Sequence, residues 1–220
     1  MRILVGCEES QTVCKAFREL GHEAFSCDIQ ECSGGHPEWH FNKDIFEAID
    51  MGWDMMIAHP PCTYLSFAGN RWFNEERYGE KAIERKRLRE NGEHFFLRLW
   101  NAPIKHICLE NPKGSIQRII PYTQIIEPYY FGDECSKTTL LWLKGLPKLI
   151  HNKSNSLFYE KTHVKKGQMC SSGSEYLFGI HTLSMTKTER SKHRSKTFPG
   201  IATAMATQWS NFLIEQSNKL

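Results

Sequence analysis

The feature that most constrains this chain is the alternation of short apolar runs with polar segments of helical periodicity. Residues 2–7 (RILVGC) form an apolar run, and residues 10–20 follow at helical spacing with Ser10 as the expected N-cap. We predict further strands at residues 23–29, 54–58, 104–109, 129–131 and 138–143, and a strand end at Asp44–Ile45. Repeated strand–helix–strand units predict a Rossmann-like α/β fold, with a mostly parallel sheet and helices on both faces.

Polar or reactive side chains follow five of these predicted strands at the point where each ends. In an open parallel sheet, ligands bind beyond the carboxyl ends of the strands. We therefore expect a functional site at this edge of the sheet. The residues concerned are Glu8–Glu9–Ser10, Asp28, Asp44, Pro61–Cys62 and Glu110–Asn111–Pro112.

The remaining pattern predicts three parts: a core over residues 1–150, a small irregular and basic appendage over 151–195, and a C-terminal helix over 196–220 that returns to the core. Within the core, residues 64–74 are predicted to form a loop with a turn at Gly69–Asn70. Residues 75–100 are predicted to be helical, with Asn91–Gly92 as a candidate break.

Composition excludes some classes of protein. The net charge is +3, which is too small to indicate nucleic-acid binding by itself. No apolar run is as long as a membrane-spanning helix, and the first residues do not resemble a signal peptide, so we expect a cytoplasmic protein without membrane contact.

The 8 cysteines are irregularly spaced, which favours reduced thiols over a disulfide framework. Cys135, His163, Cys170 and His181 have side chains that bind zinc, but none of them forms a pair with the usual short spacing. We therefore expect no metal site.

Cys62 is a candidate nucleophile, because Pro60 and Pro61 stiffen the turn before it. An ordinary cysteine with a pKa of about 8.5 is only slightly ionised at neutral pH, so a nucleophile would need activation. The alternative is a small buried structural residue. Glu110 follows an apolar strand, where burial would raise its pKa and suit a proton donor. The alternative is a carboxylate at the start of a helix opened by Asn111–Pro112.

Pro60–Pro61–Cys62 and Glu110–Asn111–Pro112 resemble the Pro-Cys and Glu-Asn motifs of DNA cytosine-5 methyltransferases. The resemblance implies a class I methyltransferase sheet and methyl transfer from S-adenosylmethionine to C5 of cytosine in DNA. It also implies that Cys62 adds to C6 of a flipped-out cytosine, while Glu110 contacts N3 and the exocyclic amine. The layout, including residues 137–147, is similar to small phage-encoded members, which implies the host cytoplasm as the location.

The resemblance extends to the cofactor half of that family. Residues 2–23 are similar to its first strand, turn and helix, and residues 42–45 to its Gly-Asp-Ile segment at the adenine. Asp28 falls at the position of the acidic residue that binds the ribose hydroxyls, and residues 198–202 resemble the late motif that closes over the methionine end. The implied cofactor-binding residues are Cys7, Glu8, Glu9, Ser10, Asp28, Ile29, Asp44, Ile45, Pro60 and Ile201.

The chain departs from the family pattern in three places. Residues 7–11 (CEESQ) replace the glycine-rich turn, and two carboxylates there would attract an ammonium group or hydroxyls and repel a phosphate. Lys137 alone stands where the family has a Gln-x-Arg-x-Arg segment. Only residues 151–184 are available for target recognition, so either target choice is loose or the substrate is not ordinary duplex DNA.

A basic segment at residues 186–196 suits phosphate contacts, although a solvated linker is an equal alternative. Two other functions stay open at this point: methyl transfer to an exocyclic amine, and a catalytically inactive binding protein with a methyltransferase fold. The oligomeric state is also open. The candidate nucleic-acid contacts are Asn70, Arg71, Lys137, Arg190, Lys192, Arg194 and Lys196.

Overall fold

A computed structural model describes residues 1–133, 136–151, 186 and 195–218 of the chain. Its strands are β1 (Arg2–Gly6), β2 (Glu23–Asp28), β3 (His40–Asn42), β4 (Met55–Ala58), β5 (His106–Pro112), β6 (Gln124–Ile126) and β7 (Thr139–Lys144). They form a 7-stranded sheet in the order β3-β2-β1-β4-β5-β7-β6.

The sheet is mostly parallel. Strands β1 to β5 run in the same direction, whereas β7 is antiparallel to its neighbours β5 and β6. The strand order reverses between β1 and β4, which is the switch point where open α/β sheets bind ligands. The predicted Rossmann-like α/β fold, mostly parallel with helices on both faces, is confirmed.

Helices cover both faces of the sheet because the side chains of each strand alternate between two apolar cores. In β1, Ile3 packs in the core that also contains Trp209, and Leu4 packs in the core that also contains Phe96. The helices of the described residues are α1 (Thr12–Glu19), α2 (Glu75–Tyr78), α3 (Glu80–Trp100) and α4 (Pro199–Ser217). Helices α1 and α4 lie on the Ile3 face, and α3 lies on the Leu4 face.

Strand β5 is longer than predicted. It continues beyond Leu109 to Pro112, because β7 pairs with it past the point where β4 ends. Residues 129–131, predicted as a strand, instead belong to the 3-10 turn Pro128–Phe131. Pro128 restricts φ at the start of this turn, and Gly132 ends it with a φ of 96°. Strand β6 was not predicted.

The candidate break at Asn91–Gly92 was wrong, since α3 runs through it. A Cβ atom at Gly92 would lie 3.2 Å from Leu65 Cδ2, so the segment after β4 packs close to α3 at this point. The predicted loop over residues 64–74 contains a 3-10 helix, Phe67–Phe73.

Several predictions lie outside the described residues. These include nearly all of the appendage over 151–195 and the four residues weighed as zinc ligands, Cys135, His163, Cys170 and His181. Within the described ranges, no group of three or more His, Cys, Asp or Glu side chains is placed to hold a metal ion. In the same part of the chain, no helix combines the length and apolar character needed to cross a membrane.

Candidate active site

Cys62 is solvent-exposed and lies just beyond the carboxyl end of β4. Its carbonyl oxygen accepts hydrogen bonds from the backbone N–H groups of Leu65 (3.1 Å) and Ser66 (2.9 Å), so a tight turn begins at this residue. The interpretation of Cys62 as a buried structural cysteine is therefore wrong. Its exposure leaves the sulfur accessible to a substrate.

The segment before Cys62 is tied to both neighbouring strands. The backbone N–H of His59 donates to the carbonyl of Gly6 at the end of β1 (3.0 Å). On the other side, Asn111 Nδ2 donates to the carbonyl of the buried Pro60 (2.7 Å). These bonds hold the His59–Cys62 segment across the switch point, beside β5.

Glu110 lies inside β5, opposite Leu141 of β7, rather than at a strand tip or the start of a helix. The side chains of His59 and Glu110 are only 7% and 18% exposed, and His59 Nδ1 lies 3.3 Å from Glu110 Oε2. Although burial acts to raise the pKa of Glu110, the hydrogen bond from His59, the charges of Lys137 and His59 and a bond from Thr139 lower it. The predicted raised pKa was wrong, and Glu110 is a carboxylate at neutral pH.

Lys137 belongs to the same site. Its positive charge lowers the pKa of both Cys62 and Glu110. The residues on either side of it are held by Glu127, which accepts hydrogen bonds from Ser136 Oγ (3.1 Å) and Thr138 Oγ1 (2.5 Å). Glu127 was missed by the sequence analysis, since an isolated carboxylate after an apolar pair has no motif around it.

The Cys62 thiol is protonated in the free protein at neutral pH. Desolvation by surrounding protein atoms raises its pKa, and the negative charge of Glu110 raises it further, against the opposing effect of Lys137. A ligand that neutralises Glu110 would therefore make the thiolate easier to form.

Glu8 acts as the cap of α1. Its carboxylate accepts hydrogen bonds from the backbone N–H groups of Val13 (2.7 Å) and Cys14 (3.2 Å). The prediction of Ser10 as N-cap was wrong, because Gln11 occupies that position with a φ of 58°. Burial raises the pKa of Glu8, while the charge of His59 and the two backbone bonds lower it. Glu8 therefore serves α1, while Glu9, which is also buried, accepts a hydrogen bond from Ser33 Oγ.

Gln11 is a structural residue that the sequence analysis missed. Its fully buried side chain donates to the carbonyl of His36 (2.8 Å) and accepts from the backbone N–H of the same residue (3.1 Å). A Cβ atom at Gly34 would lie 2.5 Å from Gln11 Cβ. These contacts hold the segment after β2 against the turn that follows β1.

The predicted cofactor residues divide into exposed and buried sets. Asp28 is half-buried and Asp44 is exposed, while the Ile29 side chain is 79% exposed beside Asp28. Burial raises the pKa of Asp28, and the charge of Glu9 adds to that effect against a backbone bond from Gln30. These side chains can meet a ligand directly.

The side chains of the buried set pack inside the protein. Ile45 is buried against Gly6, where a Cβ atom would collide with Ile45 Cδ1, and Ile201 is buried in the α4 core. Burial followed by the charge of Asp28 raises the pKa of Cys7, so this thiol stays neutral. The Ser10 hydroxyl lies 3.2 Å from Thr12 Oγ1. A ligand here would meet mainly the backbone of these residues.

Of the predicted nucleic-acid contacts, Arg71 is exposed, with its guanidinium carbon 4.6 Å from the ring centroid of Trp72. Asn70 accepts a hydrogen bond from Arg89 (2.8 Å), so it holds its own segment in place. Lys196 is exposed before α4. Arg190, Lys192 and Arg194 lie outside the described residues.

No model of a known protein family matches this chain, and no curated protein matches it. Among solved structures, the chain is similar to the Entamoeba histolytica methyltransferase EhMeth, with 16% sequence identity and a TM-score of 0.44. The similarity covers 67% of this chain and 53% of that one, so this chain spans about half the length of EhMeth. We therefore derive the function from the residues of the site.

Proposed function

We propose that this protein transfers a methyl group from S-adenosylmethionine to C5 of cytosine in DNA, with Cys62 as the nucleophile. The observation that carries the proposal is the pairing of an exposed thiol beyond β4 with an ionised, largely buried carboxylate, Glu110, on the neighbouring strand. His59 links the Cys62 segment to β5. It stands three residues before Cys62 in the chain, and its side chain contacts Glu110.

C5 of cytosine is a poor nucleophile, and addition of a thiolate to C6 removes that difficulty. The Cys62 thiol loses its proton to solvent, and a bond forms between the thiolate Sγ and C6. The electron pair displaced from the C5–C6 double bond gives C5 the character of an enamine carbon. C5 then takes the methyl group, and the bonding pair of the broken S–CH₃ bond stays on sulfur as a neutral thioether. Loss of the C5 proton to a base returns the pair to the ring and breaks the Cys62–C6 bond.

Glu110 is suited to hold the base during these steps. As a carboxylate it accepts a hydrogen bond from the exocyclic amine of cytosine. Since an ionised carboxylate only accepts, the His59–Glu110 bond places a proton on His59 Nδ1. This hydrogen-bonded pair supplies a proton to N3 as negative charge develops on the ring.

The residues at the switch point fit a cationic, hydroxyl-rich cofactor. Glu9 beyond β1, Asp28 at the end of β2 and Asp44 beyond β3 place carboxylates at this edge of the sheet, which suits an ammonium group and ribose hydroxyls. His59 Nε2 and Asn111 Oδ1 are buried with no hydrogen-bond partner among the described residues, as expected where a bound group completes the site. S-adenosylmethionine supplies the methyl group on a sulfonium that is activated for transfer.

The test uses labelled S-adenosylmethionine and DNA that contains cytosine, followed by nucleoside analysis. We expect 5-methylcytosine from the wild type and none from Cys62→Ala or Cys62→Ser, while Cys32→Ala, which alters a half-buried cysteine after β2, stays active. DNA containing 5-fluorocytosine should give a covalent adduct through Cys62, because the fluorine cannot leave as a proton does.

The other outcomes separate the alternative functions. Methyl groups on N4 of cytosine or N6 of adenine, without an adduct, would show an exocyclic-amine methyltransferase. Cofactor binding without transfer to any DNA would overturn the proposed activity, and failure to bind the cofactor would favour a binding protein with this fold.

A further inference from the structure

The segment after Cys62, residues 63–67, is contacted by three arginines that belong to other elements. In α3, Arg85 Nη2 donates to the carbonyl of Thr63 (3.1 Å), and Arg89 Nε donates to the carbonyl of Tyr64 (2.8 Å). Arg118, in the turn after β5, has its guanidinium carbon 4.8 Å from the ring centroid of Phe67. We call Arg85, Arg89 and Arg118 the arginine cluster.

The arginine cluster has no ion-pair partner among the described residues. Among the described residues, the ion pairs of α3 are Lys86 with Glu75 and Arg87 with Glu84, whereas no carboxylate lies within 4.0 Å of a cluster guanidinium. The partners of the cluster are neutral carbonyls, an amide and aromatic rings. Burial lowers the pKa of Arg89, and the charges of Arg85 and Arg118 lower it further against Glu93.

One donor of the cluster also lacks an acceptor. Arg85 Nε is buried and has no hydrogen-bond partner within the part of the chain that the structure describes. Buried N–H groups in native proteins nearly always have a partner, so an unmatched one indicates an acceptor that arrives with a ligand. Arg118 adds an exposed guanidinium with five N–H donors.

We propose that Arg85, Arg89 and Arg118 bind a phosphodiester group of the nucleic-acid strand that carries the base attacked by Cys62. Guanidinium groups bind phosphate through paired, charge-assisted hydrogen bonds, and three of them without an ion-pair partner favour an anion. Because Arg85 contacts the residue directly after Cys62, the phosphate lies close to the reacting base. This inference rests on the proposed function and identifies how the chain holds its substrate.

The cluster differs from the basic contacts predicted from the sequence. Those predictions placed the DNA contacts mainly in residues 186–196. The cluster instead combines residues of α3 with the turn after β5. A phosphate bound here also links α3 to the segment that carries Cys62. Substrate binding would therefore stabilise the position of the nucleophile.

The test is the salt dependence of DNA binding by the full chain. We use Arg118→Gln, because Arg85 and Arg89 still hold the segment in this variant. The phosphate held by the cluster contributes about 0.9 to the slope of log K against log salt for duplex DNA, or about 0.7 for a single strand, and Arg118→Gln should lose part of that contribution. Arg118→Lys, which keeps the charge, should retain most of the slope.

Arg98→Gln is the matched control. Arg98 is also an exposed arginine on an aromatic ring, with its guanidinium carbon 3.5 Å from the ring centroid of Phe46, but it lies on α3 away from the cluster. We expect its slope to equal that of the wild type. The double variant Arg85→Gln, Arg118→Gln should lose more of the slope than Arg118→Gln, up to the full contribution of the single phosphate, with circular dichroism as the check on folding.

Equal slopes for wild type and Arg118→Gln would overturn the inference, as would a wild type that binds no nucleic acid. The proposed function fails in a different way: no methyl transfer and no 5-fluorocytosine adduct, even though DNA binds and Arg118→Gln lowers the slope. That result would retain the phosphate site and reject the reaction.

Discussion

His59 Nδ1 lies 3.3 Å from Glu110 Oε2, and this contact joins the residue after β4 to strand β5, 51 residues away in the chain. The bond lies largely out of solvent, and the charge of the same imidazole also lowers the pKa of Glu8 beyond β1. His59 therefore lies between the cofactor side and the base side of the site. It is a positioning residue, since it acts on the substrate through Glu110.

Replacing His59 should shift the pH dependence of stability. The pKa of Glu110 is lowered in the folded protein, so this group contributes stability above its unfolded pKa, and that stability is lost as pH falls through the folded pKa. In His59→Phe the burial remains and the bond is lost, so the loss on acidification should begin at a higher pH. We expect a cost of about 1–3 kcal/mol near neutral pH, measured by urea unfolding between pH 4 and 8.

The control for His59 is the exposed pair of His36 Nδ1 and Glu38 Oε1, which are 3.0 Å apart. His36→Gln should leave the acid limb of the stability profile unchanged, because solvent screens an exposed pair. An acid limb in His59→Phe that coincides with the wild type would contradict the assigned role.

Alkylation of Cys62 should respond to its two charged neighbours in opposite directions. The thiol pKa is raised by desolvation from surrounding protein atoms and by Glu110 and is lowered by Lys137, so Glu110→Gln should speed the reaction and Lys137→Gln should slow it. We expect changes of about twofold to tenfold, since one pKa unit alters the thiolate fraction about tenfold. The measurement is iodoacetamide labelling followed by peptide mass spectrometry, with Glu23→Gln as a distant control.

Glu8 should matter to stability as the cap of α1. Glu8→Ala removes both acceptors for the first-turn N–H groups and should cost about 1–2 kcal/mol in urea unfolding. Glu8→Gln keeps one acceptor oxygen and should recover part of the loss. Glu19→Gln, at the exposed end of the same helix, should unfold like the wild type. Unfolding of Glu8→Ala at the wild-type urea concentration would show that the cap is dispensable.

Two glycines that touch Leu65 should respond differently to alanine. At Gly114 a Cβ atom would lie 2.3 Å from the Leu65 carbonyl oxygen, so the backbone after Cys62 must move, at about 1–3 kcal/mol. At Gly92 it would meet only the flexible end of Leu65 at 3.2 Å, and alanine favours the interior of α3 by about 1 kcal/mol. Thermal unfolding should therefore place Gly114→Ala below the wild type and Gly92→Ala at or above it.

Elements that are determined by nearby residues were predicted well from the sequence. Elements that depend on pairing with distant residues were not. The apolar runs predicted β1, β2, β4 and β7 to within about two residues, because a buried parallel or central strand needs such a run. Strand β6 has only three residues and exists because the edge of β7 offers it backbone partners. The far end of β5 was missed for the same reason, since its pairing with β7 depends on contacts distant in the chain.

The placement of Cys62 and Glu110 on neighbouring strand units could be recognised from the amino-acid sequence, since strand, turn and motif are all local patterns. Their charge states could not, because the pKa of Glu110 depends on His59, Lys137 and Thr139, which come from different elements. The assignment of Glu8 to α1 and of the arginine cluster to the Cys62 segment likewise required the tertiary structure. Electrostatics and hydrogen bonding act through space, and only folding brings these groups within reach of one another.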